Sequence, residues 1–481
     1  MFRKHQERRR NETGHERYPA DLTPTPGGEE VETEEETERW LDDVPETMDY
    51  GGRTLHFALY EGVDGNLTKQ PIWVESDTGD VVDSAVFKRN IDICERFNIV
   101  IVEPLVGDGN ESVIRMAVKA GSSEFDVYGG YQYYSIVLGS EGSLFDLGNK
   151  DRFPYFDFER EYWGTDYIMN MSPDEQRIFW ASGDLALRFI GGMYVSYVNA
   201  AILANHYPDL NLYDVVDEGG WTLDYVRDIT STVYIDKNAN GSRDGNDQYG
   251  FSVELADPID GMAAGCMINF SERNDVGEIH VTLENERTYT FWEKFGDLTW
   301  RSEGMIPNAG NQSILSFNEG NIFVTCNKLC MSGIYLREME DDFLILPLPK
   351  LDENQPHYNT RIHDSCTLYG VPVTASDPEF VSAVLEALAA ESFKTVSPAY
   401  YEIALKVKFA RDSDSGRMIE LVRQNVSSDF AALWSHRISD INHFFRQNYG
   451  NDAIASQIQR GLRPWDKGIE KLVAALMKLN V

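Results

Sequence analysis

Six residues with oxygen-bearing side chains recur at nearly alternate positions in one polar segment of this 481-residue chain, residues 236–247. Ca²⁺ is a hard cation that takes about six to eight oxygen ligands, and alternate residues on a tightly wound loop supply them. Gly241 stands at the sixth position, where a side chain would obstruct the turn. The spacing predicts a calcium loop with the ligands Asp236, Asn238, Asn240, Ser242 (through its carbonyl), Asp244 and Asp247.

Two features separate this loop from those of calcium sensors. Its twelfth position is Asp247 where a bidentate Glu is usual, and residues 248–253 read as a strand instead of a second helix. A sensor needs two helices that move apart, so the pattern predicts a static clip held by a structural Ca²⁺. A turn rich in Asn, Asp and Gly that holds no ion is the alternative reading.

Short apolar segments alternate with helical patterns after residue 50, in the order typical of α/β proteins. Residues 55–60 read as a strand, a helix follows from about Ser84, and residues 99–102 form an unbroken apolar strand. Such a strand is typical of a sheet covered on both faces, so we expect both faces of 99–102 to be buried. Further strands are predicted at residues 125–128, 248–253, 343–350 and 368–373, and helices at 173–204, from Trp221, from 376–379 onwards and at 469–479.

The first fifty residues have a different composition from the rest of the chain. They are poor in apolar residues and carry ten acids between Glu29 and Glu46. Because little apolar surface is available to offset the entropy of ordering, residues 1–50 are predicted to be a disordered acidic tether. No apolar run follows the basic start, so no signal peptide is recognised in it.

The charge balance excludes some classes of partner. The chain has 43 Lys and Arg against 79 Asp and Glu, a formal net charge of −36. A surface this acidic repels phosphate backbones and anionic lipid headgroups, so we expect no nucleic-acid partner. The 24 Tyr and 9 Trp suit a concave ligand site, because their rings combine an apolar face with a polar edge.

Several segments of the last third resemble one family of proteins. They are ILPLPK (345–350), YGVP (369–372), VLEALAAES (384–392) and VSPAYYE (396–402), with earlier similarities at GWTL (220–223) and DQYG (247–250). Together they resemble the carbohydrate-type extracellular solute-binding proteins, family 1, of Gram-positive ABC importers. The resemblance covers most of the chain after residue 50.

The resemblance implies an α/β, two-lobed, periplasmic-binding-protein-like type II fold with discontinuous lobes joined by a hinge. By that comparison lobe 1 holds residues 51–155 and 367–405, and lobe 2 holds 156–366 and 406–481. The implied function is to bind a sugar or oligosaccharide in the cleft and to deliver it to an ABC permease. The resemblance also implies a monomer on the cell surface, lipid-anchored in its full-length form. The sequence shows no lipidated Cys before the tether, so we expect its start to be truncated or a downstream Met.

Ligands of open α/β sheets bind beyond the carboxyl ends of the strands. That rule selects Tyr60 and Glu61 after the first strand, and Tyr131 and Tyr133 after the strand at 125–128. Aromatic rings stack on the C–H faces of a sugar, and carboxylates bind its hydroxyls. The next candidates are Trp163 with Asp166, and His363 with Asp364, although any one of these side chains could instead belong to the core. Relatives often place a Trp platform within residues 323–334, where this chain has CNKLC at 326–330.

Two other classes of protein stay open at this stage. A secreted glycoside hydrolase could share the calcium loop and the aromatic residues, and it would need two carboxylates on facing strand ends. A calcium-stabilised surface adhesion protein is the second. The sequence contains no nucleophile elbow, no zinc-protease motif, no P-loop and no dinucleotide-binding glycine motif, so we expect no enzymatic activity.

Overall fold

The computed structural model describes residues 40–60, 72, 74, 76–103, 110–306, 313–406 and 413–479. Most of the predicted tether, residues 1–39, lies outside the described residues, and so does the predicted ligand residue Glu61. The prediction is wrong for residues 40–50, which pack on the folded part of the chain. Val44 is buried, the guanidinium of Arg96 donates to both carboxylate oxygens of Asp42 at 2.7 and 2.8 Å, and Tyr50 contacts Phe380 edge-on. A buried ion pair and two apolar anchors thus order the end of an otherwise acidic segment.

The first sheet has four strands in the order β10–β3–β1–β2. Its strands β1, β2 and β3 are parallel, whereas β10 joins antiparallel to β3 with Thr367 opposite Tyr131. All four fall within the ranges predicted for lobe 1, whose exact boundaries stay a prediction. The strands are β1 Arg53–Leu59, β2 Ile99–Val102, β3 Val127–Tyr131 and β10 Thr367–Gly370.

The expectation that β2 is covered on both faces is wrong. Ile99 and Ile101 are buried, whereas Val100 and Val102 are 48% and 40% exposed. The reason is that β2 is an edge strand among the described residues, with β1 as its hydrogen-bonded neighbour. A run of β-branched residues has the same pattern at an edge and in the centre of a sheet, so the sequence could not tell the two apart.

The second sheet has the order β5–β8–β4–β9 and lies within residues 194–346. Its strands are β4 Tyr194–Asn199, β5 Tyr249–Val253, β8 Ile322–Lys328 and β9 Phe343–Leu346, and a separate hairpin pairs β6 Ser271–Arg273 with β7 Ile279–Val281. The prediction of a helix over residues 173–204 is wrong, because β4 occupies part of it. Every residue of β4 is buried, and a strand buried on both faces lacks the alternation that separates it from a buried helix.

Helices cover both sheets. Asp377 caps the helix Pro378–Glu391 by accepting the N–H of Phe380, as its Ser-Asp-Pro-Glu start predicts. Among the described residues no helix is both long and apolar enough to span a membrane. The other α-helices in the described part of the chain are Val81–Phe97, Asn110–Ala120, Gln132–Ser135, Val137–Ser140, Thr165–Met171, Leu187–Gly191, Ala200–His206, Leu212–Asp217, Leu223–Thr230, Asp257–Gly265, Glu286–Leu298, Ser313–Asn318, Met331–Ile334, Ser397–Lys406, Ser413–Gln424, Phe430–Leu433, Phe444–Gln447 and Ile454–Leu476.

Candidate ligand-binding site

The carboxyl edge of the first sheet carries a group of tyrosines. Tyr60 follows β1 and Tyr131 ends β3, and their rings meet edge-on with centroids 6.0 Å apart. Burial, followed by the nearby Asp364 carboxylate, raises the pKa of Tyr131 far above its usual value, so its phenol stays neutral. Tyr134, half exposed, lies 5.6 Å from the ring of Tyr131. This edge therefore offers aromatic faces and neutral hydroxyl groups.

Tyr133 connects the same edge with the C-terminal part of the chain. Its hydroxyl donates to Oδ1 of Asp440 at 2.8 Å. Its ring stacks on His443 with centroids 5.8 Å apart and lies 4.7 Å from the ring of His436. Its backbone N–H donates to the carbonyl of Asp364 at 3.2 Å. Tyr133 thus links β3 to the returning segment 363–366 and to residues 436–443.

The carboxyl edge of the second sheet centres on Asp257, at the start of the helix that follows β5. Its Oδ2 accepts the hydroxyl of Tyr194 at 2.8 Å and Nζ of Lys328 at 3.0 Å, so the ends of three chain segments meet at one oxygen. Nε2 of His363 lies 3.4 Å from the same oxygen. Burial alone would raise the pKa of Asp257, but His363 and Lys328 hold it well below its usual range.

Residues 363–366 join the two edges. Nε2 of His363 lies 3.5 Å from Oδ1 of Asp364, and Nδ1 of His363 accepts the N–H of Ser365 at 3.1 Å. Burial lowers the pKa of His363 below its usual value, which favours the neutral ring with its proton on Nε2. The segment then enters β10 at Thr367, opposite Tyr131. Polar groups from both sheets therefore converge on one short piece of chain.

A small cavity lies at the first edge. Its volume is ≈ 30 Å³, and its lining includes Tyr60, Tyr131, Thr367, Tyr369 and the side chain of Arg188. Arg188 is 7% exposed and donates from Nη1 to the carbonyl of Ser365 at 3.0 Å. The cavity thus combines phenol rings with a buried guanidinium.

The structure brings together five of the eight predicted ligand residues: Tyr60, Tyr131, Tyr133, His363 and Asp364. It places Trp163 elsewhere, in the core, 3% exposed and packed against Phe156 and Phe158. The indole N–H of Trp163 donates to Glu386 at 2.9 Å, so the expected sugar platform is wrong for this side chain. Asp166 lies half-buried in the first turn of the helix Thr165–Met171, and Glu61 is outside the described residues.

Sequence reasoning missed Tyr194, Asp257, Lys328 and Arg188. Applying the strand-end rule to β5 and β8 would have found Asp257 and Lys328, because they follow or end those strands. Lys328 falls in the segment 323–334, where relatives often place a Trp platform. Tyr194 and Arg188 were hidden inside the wrongly predicted helix at 173–204.

The predicted calcium loop is a closed turn between Ile235 and Gln248, which form a two-way backbone bridge. Asp236 accepts the N–H groups of Asn240 and Gly241, and Gly241 has φ +73°. Asp244 accepts the amide groups of Asn238 and Asn240 at 3.2 and 2.7 Å. The amide oxygens of Asn238 and Asn240 accept the backbone N–H groups of Asn240 and Ser242, at 3.0 and 2.6 Å.

Asp247, the last residue of the predicted calcium loop, has one carboxylate oxygen in hydrogen bonds and one without a partner among the described residues. It is fully buried, and its Oδ2 accepts the hydroxyl of Tyr234 at 3.0 Å and the N–H of Asp244 at 3.1 Å. Its Oδ1 is buried with no hydrogen-bond partner among the described residues. Over the same residues, no group of three or more His, Cys, Asp or Glu is arranged as a metal site. The donor set is nevertheless made entirely of oxygens, as Ca²⁺ prefers.

No family model and no curated protein matches the chain. Solved structures do match over most of its length. An ABC transporter solute-binding protein from Thermotoga lettingae, bound with alpha-D-tagatose, has a TM-score of 0.54 and 12% identity over 87% of this chain and 100% of its own. The chain has the two-lobed fold of ABC-transporter solute-binding proteins.

Two further solved structures share this fold with similar TM-scores and sequence identities. An ABC substrate-binding protein from Listeria monocytogenes, in complex with cycloalternan, has a TM-score of 0.52 and 11% identity over 88% of this chain and 99% of its own. The apo-form of RafE from Streptococcus pneumoniae has a TM-score of 0.52 and 14% identity over 88% of this chain and 98% of its own. The expectation of a two-lobed α/β fold is thereby confirmed.

Proposed function

We propose that this chain is the solute-binding component of an ABC importer and that it binds a sugar or an oligosaccharide between its lobes. The observation that carries the proposal is the convergence of both sheet edges on residues 363–366. Tyrosine rings lie on one side of this segment, and Asp257 with Lys328 lies on the other. Rings of this kind stack on the apolar faces of a sugar, and paired acids and bases exchange hydrogen bonds with its hydroxyl groups.

The proteins with the same fold support this choice of ligand class. The Thermotoga lettingae protein is bound with alpha-D-tagatose, and the Listeria monocytogenes protein is in complex with cycloalternan. The proposal extends to the partner and the location: an ABC permease, a monomeric binding protein with no nucleic-acid partner, and an extracellular position. A lipid anchor in a Gram-positive cell envelope is proposed on the sequence resemblance alone.

A glycoside hydrolase is the second candidate, and one observation bears on it. Burial, followed by Asp257, raises the pKa of Glu254, whereas Asp257 is held ionised, and such a contrast is typical of acid–base pairs. Both carboxyls, however, belong to the same strand end, and Asp257 already has Tyr194, Lys328 and His363 as partners. We therefore propose a binding protein that is not an enzyme.

We further propose that residues 236–247 hold one structural Ca²⁺. The unpaired, buried Oδ1 of Asp247 supports the proposal, and so does a donor set of three carboxylates, two amides and one carbonyl. An ion bound there would stabilise the loop between Ile235 and Gln248 without taking part in ligand binding.

The test of the main proposal is a ligand screen with a turnover control. Purified protein is titrated calorimetrically with neutral and acidic mono- and oligosaccharides, and each ligand is recovered and analysed afterwards. We expect saturable binding of at least one saccharide, recovered intact, and weaker binding by Tyr131→Ala. Release of reducing ends that is lost in Glu254→Gln would favour the hydrolase, and a complete lack of saccharide binding would refute the proposal.

A further inference from the structure

The guanidinium of Arg188 is buried, and few neighbouring groups offset the cost of burying its charge. It lies in the short helix Leu187–Gly191 and is 7% exposed. The one hydrogen bond of its side chain among the described residues runs from Nη1 to the carbonyl of Ser365, and no carboxylate of those residues lies within ion-pair distance of the guanidinium. The titratable groups that interact most strongly with its charge are phenols and thiols, which are neutral at pH 7: Tyr131, Cys366, Cys330 and Tyr60.

Two other buried arginines have carboxylate partners, whereas Nε of the buried Arg361 has no hydrogen-bond partner among the described residues. Arg423 pairs with Asp184 at 2.9 Å, and Arg96 pairs with Asp42 at 2.7 Å. Arg89 has no carboxylate partner either, but its guanidinium donates four hydrogen bonds to neighbouring oxygens. Because an unpaired buried charge is costly, a chain that leaves Arg188 with a single neutral acceptor gives up stability at that point.

The position of Arg188 suggests what that loss of stability serves. The side chain lines the ≈ 30 Å³ cavity at the carboxyl edge of the first sheet, together with Tyr60 and Tyr131. A cavity of this size accepts one or two water-sized groups and not a sugar ring. The cavity is the right size for a planar substituent of a sugar, while the sugar ring itself lies outside the cavity against Tyr60 and Tyr131.

We propose that the ligand carries a carboxylate that enters this cavity and pairs with Arg188, so the substrate class is acidic saccharides that contain a uronic acid. The proposal rests on the function proposed above and narrows it. A guanidinium presents its N–H groups as a planar fork that matches a carboxylate in two parallel hydrogen bonds. The cavity wall contributes neutral hydroxyl groups that do not repel an anion.

Two acids near Tyr131 are engaged by other groups. Asp257 contacts Tyr194, Lys328 and His363. Asp364 lies 3.5 Å from Nε2 of His363 and accepts the amide of Asn442 at 3.5 Å. Neither is an ion-pair partner of Arg188, so the guanidinium stays available to an incoming carboxylate.

The experiment is a calorimetric titration with matched ligand pairs. Oligomers of galacturonate, glucuronate and mannuronate are compared with their carboxyl-reduced, neutral counterparts. We expect at least one uronate to bind and its neutral counterpart to bind roughly 30-fold more weakly or worse. Arg188→Met should remove this difference, Arg188→Lys should retain part of it, and Arg273→Met, which alters an arginine bound to backbone carbonyls of Ser172 and Pro173, should leave it unchanged.

A second measurement needs no ligand. Removing an uncompensated buried charge should raise the Tm of the ligand-free protein, so Arg188→Met is expected to melt above wild type. If a neutral saccharide binds as tightly as its uronate and Arg188→Met does not change this, the acidic substrate class is refuted while saccharide binding stands. If no saccharide of either kind binds and Arg188→Met lowers the Tm, both proposals fall.

Discussion

Nε2 of His363 lies 3.4 Å from Oδ2 of Asp257, and this contact ties the segment that returns to the first sheet to the carboxyl edge of the second. Nδ1 of the same ring accepts the N–H of Ser365, so the proton of the neutral imidazole is on Nε2, facing the carboxylate. Lys328 approaches the same oxygen from β8. The imidazole therefore acts as a neutral donor to a carboxylate that also accepts the hydroxyl of Tyr194 and Nζ of Lys328.

We predict that His363→Ala lowers the free energy of unfolding by about 1–2 kcal/mol, because a buried acceptor loses its donor. His363→Gln should lose less, since its amide can still donate to Asp257. Burial lowers the pKa of His363, so the unfolded chain takes up the proton first and the contribution of this side chain falls as the pH drops below its usual range. Chemical denaturation between pH 5 and pH 8 checks this. An advantage of wild type over His363→Gln that grows towards acid pH would contradict it.

Tyr131 and Trp163, both predicted from the sequence as ligand residues, should now behave differently. Tyr131→Ala is expected to weaken saccharide binding by about 1–3 kcal/mol while changing stability little. Trp163→Ala is expected to lower the free energy of unfolding by about 3–5 kcal/mol, because the indole is buried among aromatic rings. Calorimetry and urea denaturation of both variants separate the two effects, with Tyr289→Ala as a control outside the site. Unchanged stability of Trp163→Ala would place that ring at the surface.

Calcium should stabilise the folded protein without being required for folding. At a concentration about 100 times the dissociation constant, a ligand specific to the native state adds about 2.7 kcal/mol to stability, so a chelator should lower the Tm. Asp236→Ala and Asp247→Ala should abolish the dependence. Lys237→Met, which alters a neighbouring residue outside the ligand set, should keep it. Identical melting curves of wild type in chelator and in millimolar Ca²⁺ would mean that the loop holds no ion.

Glu386 should make stability depend on pH in the sense opposite to an ordinary carboxylate. Burial raises its pKa to about 7, although Tyr162 and Trp163 donate to it. The folded state therefore holds a proton that the unfolded state releases, and stability falls as the pH rises from about 5 to 8. Glu386→Gln should gain about 2 kcal/mol relative to wild type over this window. Thermal denaturation of both proteins at each pH measures the difference, and parallel curves would refute the prediction.

Ligand binding should draw the lobes together as a hinge. Closure follows if the ligand contacts both sheet edges in the closed state alone, because its differential affinity shifts the population. Small-angle X-ray scattering should give a smaller radius of gyration with a confirmed ligand than without it. Tight binding with an unchanged scattering curve would instead indicate a preformed pocket.

The α/β class and the positions of several strands along the chain were predictable from the sequence, because strand length and flanking turns mark β1, β5 and β10 clearly. The edge position of β2 and the presence of β4 were not, since burial on one face or two depends on neighbours distant in the sequence. Tyr194 and Arg188 were not predicted as site residues, because both lie in the segment 173–204 that was wrongly predicted to be one helix.

The candidate site was predictable where one rule about strand ends applied to a correctly assigned strand. That rule places Tyr60 and Tyr131 at the first edge, and it would have placed Asp257 and Lys328 at the second. The prediction of Trp163 as a ligand residue failed because an aromatic residue suits a core as well as a cleft, and because its hydrogen-bond partner Glu386 is far away in the sequence. The contact between them is a property of the folded chain, not of either segment.

The antiparallel pairing of Thr367 with Tyr131 has a consequence for the order in which the protein is made. A ribosome completes β1, β2 and β3 long before β10, with the whole second sheet between them. The edge of β3 therefore stays unpaired until the chain has emerged past Gly370, and the contact that closes it has a large sequence separation. The second sheet can assemble from an uninterrupted stretch of chain, whereas the first sheet is complete only after β10 has been synthesised. We therefore expect the lobe that contains the first sheet to be the last to finish folding.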